Sequence, residues 1–546
     1  MSVSLEGMQG RLAMPVRHVA SLFEPAAARD AARRNELLLV LAILAVAALA
    51  RFWELGSFSF HKPDEDTTVL AAVHILEDGT PRFPSGMFYA RAIVQSYLIA
   101  GSFVLFGVSE WSARLPSVLC GLLVVWLAWL VSRRFLTAPW RIGFTACVAL
   151  LPTMIADAQE ARMYGFMVAS LLGATWQVFR WEETGRLRNL AFAVTWLLLA
   201  IQFQTLALLG AAVLLFPGLA RGGTVRSLQG LAALVSVGIG YLAISRWQNG
   251  FYPEQSRAEY FPGWTDPLLV APTAPAGAFD LLAAAGLALA GGALAWLALR
   301  GATGMLRRGI VLLAVAALLL QAALHYHLAV MCWLLAGVLA ARHRPDWRWA
   351  ALLLAGAFAL ACVQLGTLLA GGTGARQALG MMVGWPSIWP ALQVAQYSWF
   401  AAAVVAVGLL VALLRLARGQ TVHEVWLYFA LTAWAPLMVV GAGAWFVPPR
   451  YVEFALLPLL LTAFVVAATL LRGRGWMAAL PVAVLSIHPP AAWAAVVEGE
   501  RSADHRAAAQ FLKDLPLRDD DILVAEEVLM QHYYLGRLDY WLVSPQ

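Results

Sequence analysis

The sequence predicts an all-α polytopic membrane protein of about 13–15 transmembrane helices, followed by a small C-terminal extracytoplasmic α/β module. Three observations lead there. The 546 residues are 61% hydrophobic and only 13% charged, with a mean hydropathy of +0.71, a composition outside the soluble globular range. Apolar runs of roughly 17 to 25 residues, the length of a hydrocarbon crossing, recur from Leu37 to Trp493. Arginines then punctuate every second connection, among them Arg33 and Arg34, Arg133 and Arg134, Arg221 and Arg226, and Arg472 and Arg474, which is the positive-inside pattern of cytoplasmic loops. The net charge of +6 therefore marks topology, and the basic residues form no patch or stripe suited to nucleic acid.

Taken in order, residues 1–35 are a polar, arginine-dotted cytoplasmic tail rather than a cleaved leader, because a run of full spanning length follows it. The transmembrane domain covers 36–495 and begins with a span at 36–54. Its first outer loop, 55–111, holds two short helices. One covers 66–78, with Asp66 and Thr67 as capping candidates, Val69, Leu70, Val73 and Leu76 at helical spacing, and Gly79 as its stop. The other, 88–106, is long enough to cross but carries Arg91, Gln95 and Ser96, and a crossing there would put Arg133 and Arg134 on the wrong side. Both are expected to lie in the outer interface.

Further spans are expected at 112–132, 141–157, 163–180, 189–203, 204–221, 228–246, 279–300, 308–325, 327–342, 348–370, 397–416, 422–442, 451–472 and 475–495, which places the C-terminus outside. Three outer segments, 247–278, 371–396 and 446–451, are rich in proline and aromatics, as binding loops often are. Residues 496–546 read as helix, strand (Ile522–Ala525), helix, strand (Tyr540–Val543), a module too small to stand alone. Cys120, Cys147, Cys332 and Cys362 fall within apolar runs at no metal-like spacing and read as small core residues.

Chemistry has few places to reside in so apolar a chain. "HKPDEDTTVL", His61 to Leu70, sets Asp64, Glu65 and Asp66 side by side with Lys62 nearby. The group is either an acid-rich helix start or a partly desolvated general base, with any of the three acids as the base. "DAQEARMYG" supplies Asp157, Glu160, Arg162 and Tyr164, and "PPRY" supplies Arg450 and Tyr451. Ionisable residues so near hydrocarbon are costly unless paired or used. Two arginines on the side the positive-inside rule disfavours suit a lipid-linked phosphate. Arg114 in "WSARLPS" reads as a structural helix-end residue. His325 and His327 in "HYH", and His74 if it joins Asp64 or Glu65, are weak metal candidates; zinc-type and phosphate-cradling motifs do not occur.

The order "PDED", "EDGTPRFP", "FGVSEWSARLPSVLCGLLVVWLAW", "ALLPTMIADAQEARMYGF" and "PPRYVEFALLPLLL" resembles the integral-membrane glycosyltransferases of the GT-C class. It is nearest to those related to the protein O-mannosyltransferases, the lipid A aminoarabinose transferases and the lipopolysaccharide-core galacturonosyltransferases. The likeness covers roughly 36–220 well and 440–475 moderately. It implies a GT-C fold in the bacterial cytoplasmic membrane and an inverting transfer at its outer face. A sugar would pass from a polyprenyl-phosphate donor to a lipid, glycan or protein acceptor. It also implies Asp64 as base with Glu65 beside it, and Arg162 and Arg450 on the donor phosphate, with Tyr164, Tyr451 and Lys62 near them. No cofactor is required, since a phosphate is already a good leaving group; a divalent cation is admissible. A lipid or glycan transporter, or a non-catalytic envelope-assembly protein, is the rival reading.

Overall fold

The computed structural model describes residues 26–60, 63–83, 86–249, 312, 315, 389–417, 422–437, 440, 449–488, 504–516, 518, 522, 524–525, 533–536 and 540–541, and of Asp64 only the backbone. Lys62, His325, His327, the four spans expected between 279 and 370 apart from residues 312 and 315, and most of the three proline-rich segments lie outside the described residues.

The fold class is the expected one, an all-α membrane protein. Four of the described helices are long and apolar enough to cross a membrane by length and composition: Asp30–Phe52, Glu110–Ser132, Thr224–Gln248 and Arg450–Leu470. The chain begins with α1 (Ala26–Phe52), which starts ten residues before the expected span. After it come α2 (Pro63–Asp78) and α3 (Ile93–Phe106), at 16 and 14 residues about 24 and 21 Å long, too short to cross upright. α2 starts at Pro63, so Asp66 and Thr67 are not its caps. Proline is preorganised for the first helical position, and the three acids fill the first turn, where the helix dipole favours negative charge. The helix stops at Gly79, whose φ of +79° only glycine adopts cheaply.

α4 (Glu110–Ser132) opens on a capping box. The Ser109 hydroxyl accepts from the Ser112 N–H at 3.2 Å, and the Ser109 N–H donates to the Ser112 hydroxyl at 3.1 Å. α5 (Ala138–Leu150) and the short α6 (Pro152–Ala156) replace the single span expected at 141–157, divided at Pro152. α7 (Tyr164–Thr184) and α8 (Leu187–Phe203) form an antiparallel pair turned at Gly185. The expected span 204–221 is instead a 3₁₀ run, Thr205–Leu215, leading into α9 (Phe216–Arg221). Pro217 has no N–H for the Val213 carbonyl, and the Phe216 N–H takes that carbonyl in the tighter 3₁₀ manner.

α10 (Thr224–Asn249) completes this half, and α11 (Trp389–Gln396) and α12 (Trp399–Ala417) begin the next. Residues 425–437 run as α13 (Val425–Phe429), a π turn at Ala430–Trp434 and a further helical turn. A 3₁₀ segment, Pro449–Ala455, feeds α14 (Leu456–Leu470), and α15 (Gly475–Ile487) follows. Beyond the bundle are α16 (His505–Asp514) and a parallel pairing of β1 (Val524–Ala525) with β2 (Tyr540–Trp541), which fall within the strands expected at 522–525 and 540–543.

α4 and α7 run parallel through the centre of the core. Glu65 links their N-terminal ends, through Arg114 and the N–H of Ala161, and an Arg134–Glu182 ion pair links their C-terminal ends. Gly121 of α4 lets α1 cross closely: a Cβ there would stand 2.7 Å from the Ala158 Cβ and 3.1 Å from the Arg51 Nε.

Candidate active site

The site is assembled at the N-terminal ends of α4 and α7, where the end of α1, the start of α2, the turn 157–163 and the 3₁₀ segment 449–455 converge. The capping box starts α4 so that Glu110 and Arg114 stand one turn apart on the same face. Arg114 is fully buried and uses all five guanidinium N–H groups. Nε and Nη2 donate to the two Glu65 carboxylate oxygens at 2.8 and 3.1 Å, Nη1 to the Leu55 and Phe58 carbonyls at 3.0 Å each, and Nη2 also to the Ser59 carbonyl at 3.1 Å. Its face rests on the Phe58 ring, 4.1 Å from the centroid. Arg114 is therefore structural, as its place at a helix end suggested. Glu65, also at 0% exposure, accepts in addition from the Ala161 N–H at 2.9 Å.

That geometry separates the three acids. Successive helical positions fan out by about 100°, so the three carboxylates cannot share one direction. Glu65 is committed to Arg114, and Asp66 is buried. His74 does not join Glu65; its Nδ1 lies 3.5 Å from Asp78 and 3.6 Å from Glu77 on its own helix. No group of three His, Cys, Asp or Glu side chains placed to hold a metal ion occurs among the described residues.

The turn 157–163 is tied to α1 by Gln159, whose side-chain amide donates to the Ala50 and Trp53 carbonyls at 3.2 and 3.1 Å. It brings Asp157, Glu160 and Arg162 against residues from 397 to 453. Arg162 and Arg450 both stand against the Tyr164 ring, with Cζ 5.5 and 5.8 Å from its centroid. Tyr451 lies beside the same ring at 6.2 Å between centroids. Three of the residues singled out in the sequence thus meet around a fourth, Tyr164.

Two further residues at this point were not singled out. Tyr397 donates from its hydroxyl to Glu453 Oε1 at 3.2 Å, and buried Glu453 is also in hydrogen-bond contact with Asp157 and within electrostatic reach of Glu160. Glu453 had a legible signal, since an acid inside "RYVEFALLPLLL" is expensive unless used. Tyr397 had none.

Comparison with known proteins bears on this arrangement. Residues 90–246 match the family described as dolichyl-phosphate-mannose-protein mannosyltransferase. No curated protein sequence matches the chain. Among solved structures, ArnT from Cupriavidus metallidurans bound to undecaprenyl phosphate is similar at 16% identity, over 92% of this chain and 85% of that one, with a TM-score of 0.37. The oligosaccharyltransferase AglB from Archaeoglobus fulgidus, in complex with an inhibitory peptide and a dolichol-phosphate, is similar at 12% identity over 92% of this chain and 64% of that one, TM-score 0.47. The arabinosyltransferase EmbB from Mycobacterium smegmatis is similar at 15% identity over 80% and 42%, TM-score 0.30.

Proposed function

We propose that this protein, a relative of the GT-C class membrane glycosyltransferases related to the protein O-mannosyltransferases, is an inverting sugar transferase of the cytoplasmic membrane. It would act at the outer face, moving a sugar from a polyprenyl-phosphate donor to a hydroxyl or amine acceptor. The observation that carries this reading is the meeting of Arg162, Tyr164, Arg450 and Tyr451 at the same helix ends that hold the start of α2.

Asp64, second residue of α2, is the base. It takes the proton of the acceptor as the acceptor atom bonds to the anomeric carbon from the face opposite the phosphate. The bond from that carbon to the phosphate oxygen breaks, and the phosphate leaves as a lipid monoester. Arg162 and Arg450 steady its growing charge through charge-assisted hydrogen bonds. Tyr164 holds the two guanidinium groups apart and at a common depth. Glu65 does not react; anchored on Arg114 and Ala161, it fixes the first turn of α2 and so the position of its neighbour. Proton, sugar and leaving group balance without a cofactor.

The test is transfer by the purified protein supplied with polyprenyl-phosphate sugars, wild type against Asp64→Asn. Loss of a general base costs about 10²- to 10⁴-fold, with donor binding retained. Full transfer in the variant removes Asp64 from the mechanism. No transfer by wild type with any donor supports the transporter or assembly reading.

A further inference from the structure

The approach to α2 is held from two sides. From within the bundle Arg114 takes the carbonyls of Leu55, Phe58 and Ser59. From the other side the same short stretch is held by residues more than four hundred positions later. The Tyr534 hydroxyl accepts from the Phe60 N–H at 2.9 Å and donates to Glu110 Oε1 at 3.0 Å. Arg506 donates to the Ser57 carbonyl at 2.7 Å and pairs with Glu110 at 3.4 Å. The His505 N–H, at the start of α16, donates to the Ser59 hydroxyl at 3.2 Å.

Phe60 itself is fully buried. Tyr533 meets its ring edge-on at 5.1 Å and Tyr534 lies tilted at 6.1 Å. Burial, with Glu110 adding to it, pushes the Tyr534 hydroxyl above the ordinary tyrosine range, so it keeps the proton it donates. Glu110 and Arg114 are one turn apart on α4. One helix face therefore grips the C-terminal segment with its first acid and the α2 approach with its arginine.

We infer that the C-terminal segment is a working part of the transfer site: Tyr534, through Glu110 and the Phe60 amide, is a positioning residue that sets where α2 and Asp64 stand. The inference rests on the transferase reading for its kinetic consequence but not for the clamp itself. Phe60 lies four positions before Asp64, so releasing its amide loosens the described non-helical run between α1 and the acidic turn at its end nearest Asp64. Small displacements of a reacting group cost one to two orders of magnitude in rate. Substrate groups bound by Arg162 and Arg450 lie on other segments and are left alone.

The test is Tyr534→Phe, which keeps the ring packing and removes both hydrogen bonds. The expected result is faster amide exchange across 55–60, kcat lower by about tenfold, and an unchanged KM for the polyprenyl-phosphate donor. Glu110→Ala has at least the same effect, since it also releases Arg506; Glu110→Gln retains most of the activity because its amide oxygen still accepts from Tyr534, and the double variant is no worse than Glu110→Ala alone. Unchanged exchange overturns the clamp; faster exchange with unchanged kcat overturns the positioning role. A fall in donor affinity as large as the fall in kcat overturns it as well, since that marks general loosening. If wild type transfers no sugar, the transferase reading fails separately, and exchange at Phe60 decides whether the clamp exists.

Discussion

The two ends of α4 and α7 treat charge in opposite ways. At their C-terminal ends, among the described residues, the ion pairs join unlike charges, even where Glu182 and Glu424 are neighbours across one arginine. Arg134 bridges Glu182 and Glu424 at 3.2 and 2.8 Å, Arg221 closes on Glu182 at 2.6 Å, and Arg141 holds Glu36 of α1. Five segments distant in sequence are fastened there by partners matched in sign. At the N-terminal ends the buried pair of Glu65 with Arg114 is built to the same standard, and Glu110 pairs with Arg506. Beside it, titratable groups gather: Asp157 touches Glu453 with Glu160 near, Arg51 is within electrostatic reach of Asp157, and the Arg162 and Arg450 guanidinium groups share the Tyr164 ring. Ion pairs hold helices together, whereas a crowd of titratable groups in a buried turn is costly and marks a candidate site.

The largest expected effect breaks the fully buried ion pair within the site. Arg114→Ala leaves Glu65 as a buried charge without its partner, a loss of about 3–5 kcal/mol, read as a lowered melting temperature in detergent together with lost transfer. A variant that melts like wild type shows that Arg114 is not the keystone. Next come Arg162→Ala and Arg450→Ala, each removing a charged donor worth about 1.5–3 kcal/mol. Polyprenyl phosphate should bind roughly ten- to a hundredfold more weakly to each, while the melting temperature moves little.

At the opposite end Glu182→Gln should do the reverse. It removes the charge shared by Arg134 and Arg221, costs about 1–3 kcal/mol of stability, and leaves kcat and KM unchanged; a kinetic change there would dissolve the contrast between the ends. The smallest effect is at exposed Asp78. The Thr80 N–H and hydroxyl, with a lesser contribution from His74, hold its carboxyl below the ordinary carboxylate range. Its small contribution is present above the ordinary carboxylate pKa and is lost as pH falls through the lowered one. Asp78→Asn should erase that acid-side change in helix-end exchange and leave transfer unaltered.

Much of the fold was legible because spanning length and arginine spacing are strong, local signals. The spans at 112–132, 163–180, 189–203 and 397–416 correspond to α4, α7, α8 and α12 within a few residues. What the sequence concealed was backbone detail decided by proline. Ahead of Pro217 the expected α-helix ends as a 3₁₀ run, and Pro63 begins α2 three residues early, moving the acids from cap to first turn. Within the site, Arg162, Tyr164, Arg450 and Tyr451 were legible as charges and aromatics near hydrocarbon. The commitment of Glu65 was not, because it depends on Arg114 arriving from a helix 49 positions away. The docking of Tyr534 on Phe60, 474 positions apart, likewise leaves no trace in either local sequence.

The central claim is that the arginines around Tyr164 hold a lipid phosphate while the start of α2 supplies the base. Its most direct test is the affinity of the purified protein for undecaprenyl phosphate without a sugar, in wild type and in the Arg162→Ala/Arg450→Ala double variant. The account predicts saturable binding to wild type, weakened at least a hundredfold in the double variant and unchanged in Asp64→Asn. Equal affinity in wild type and the double variant would contradict it.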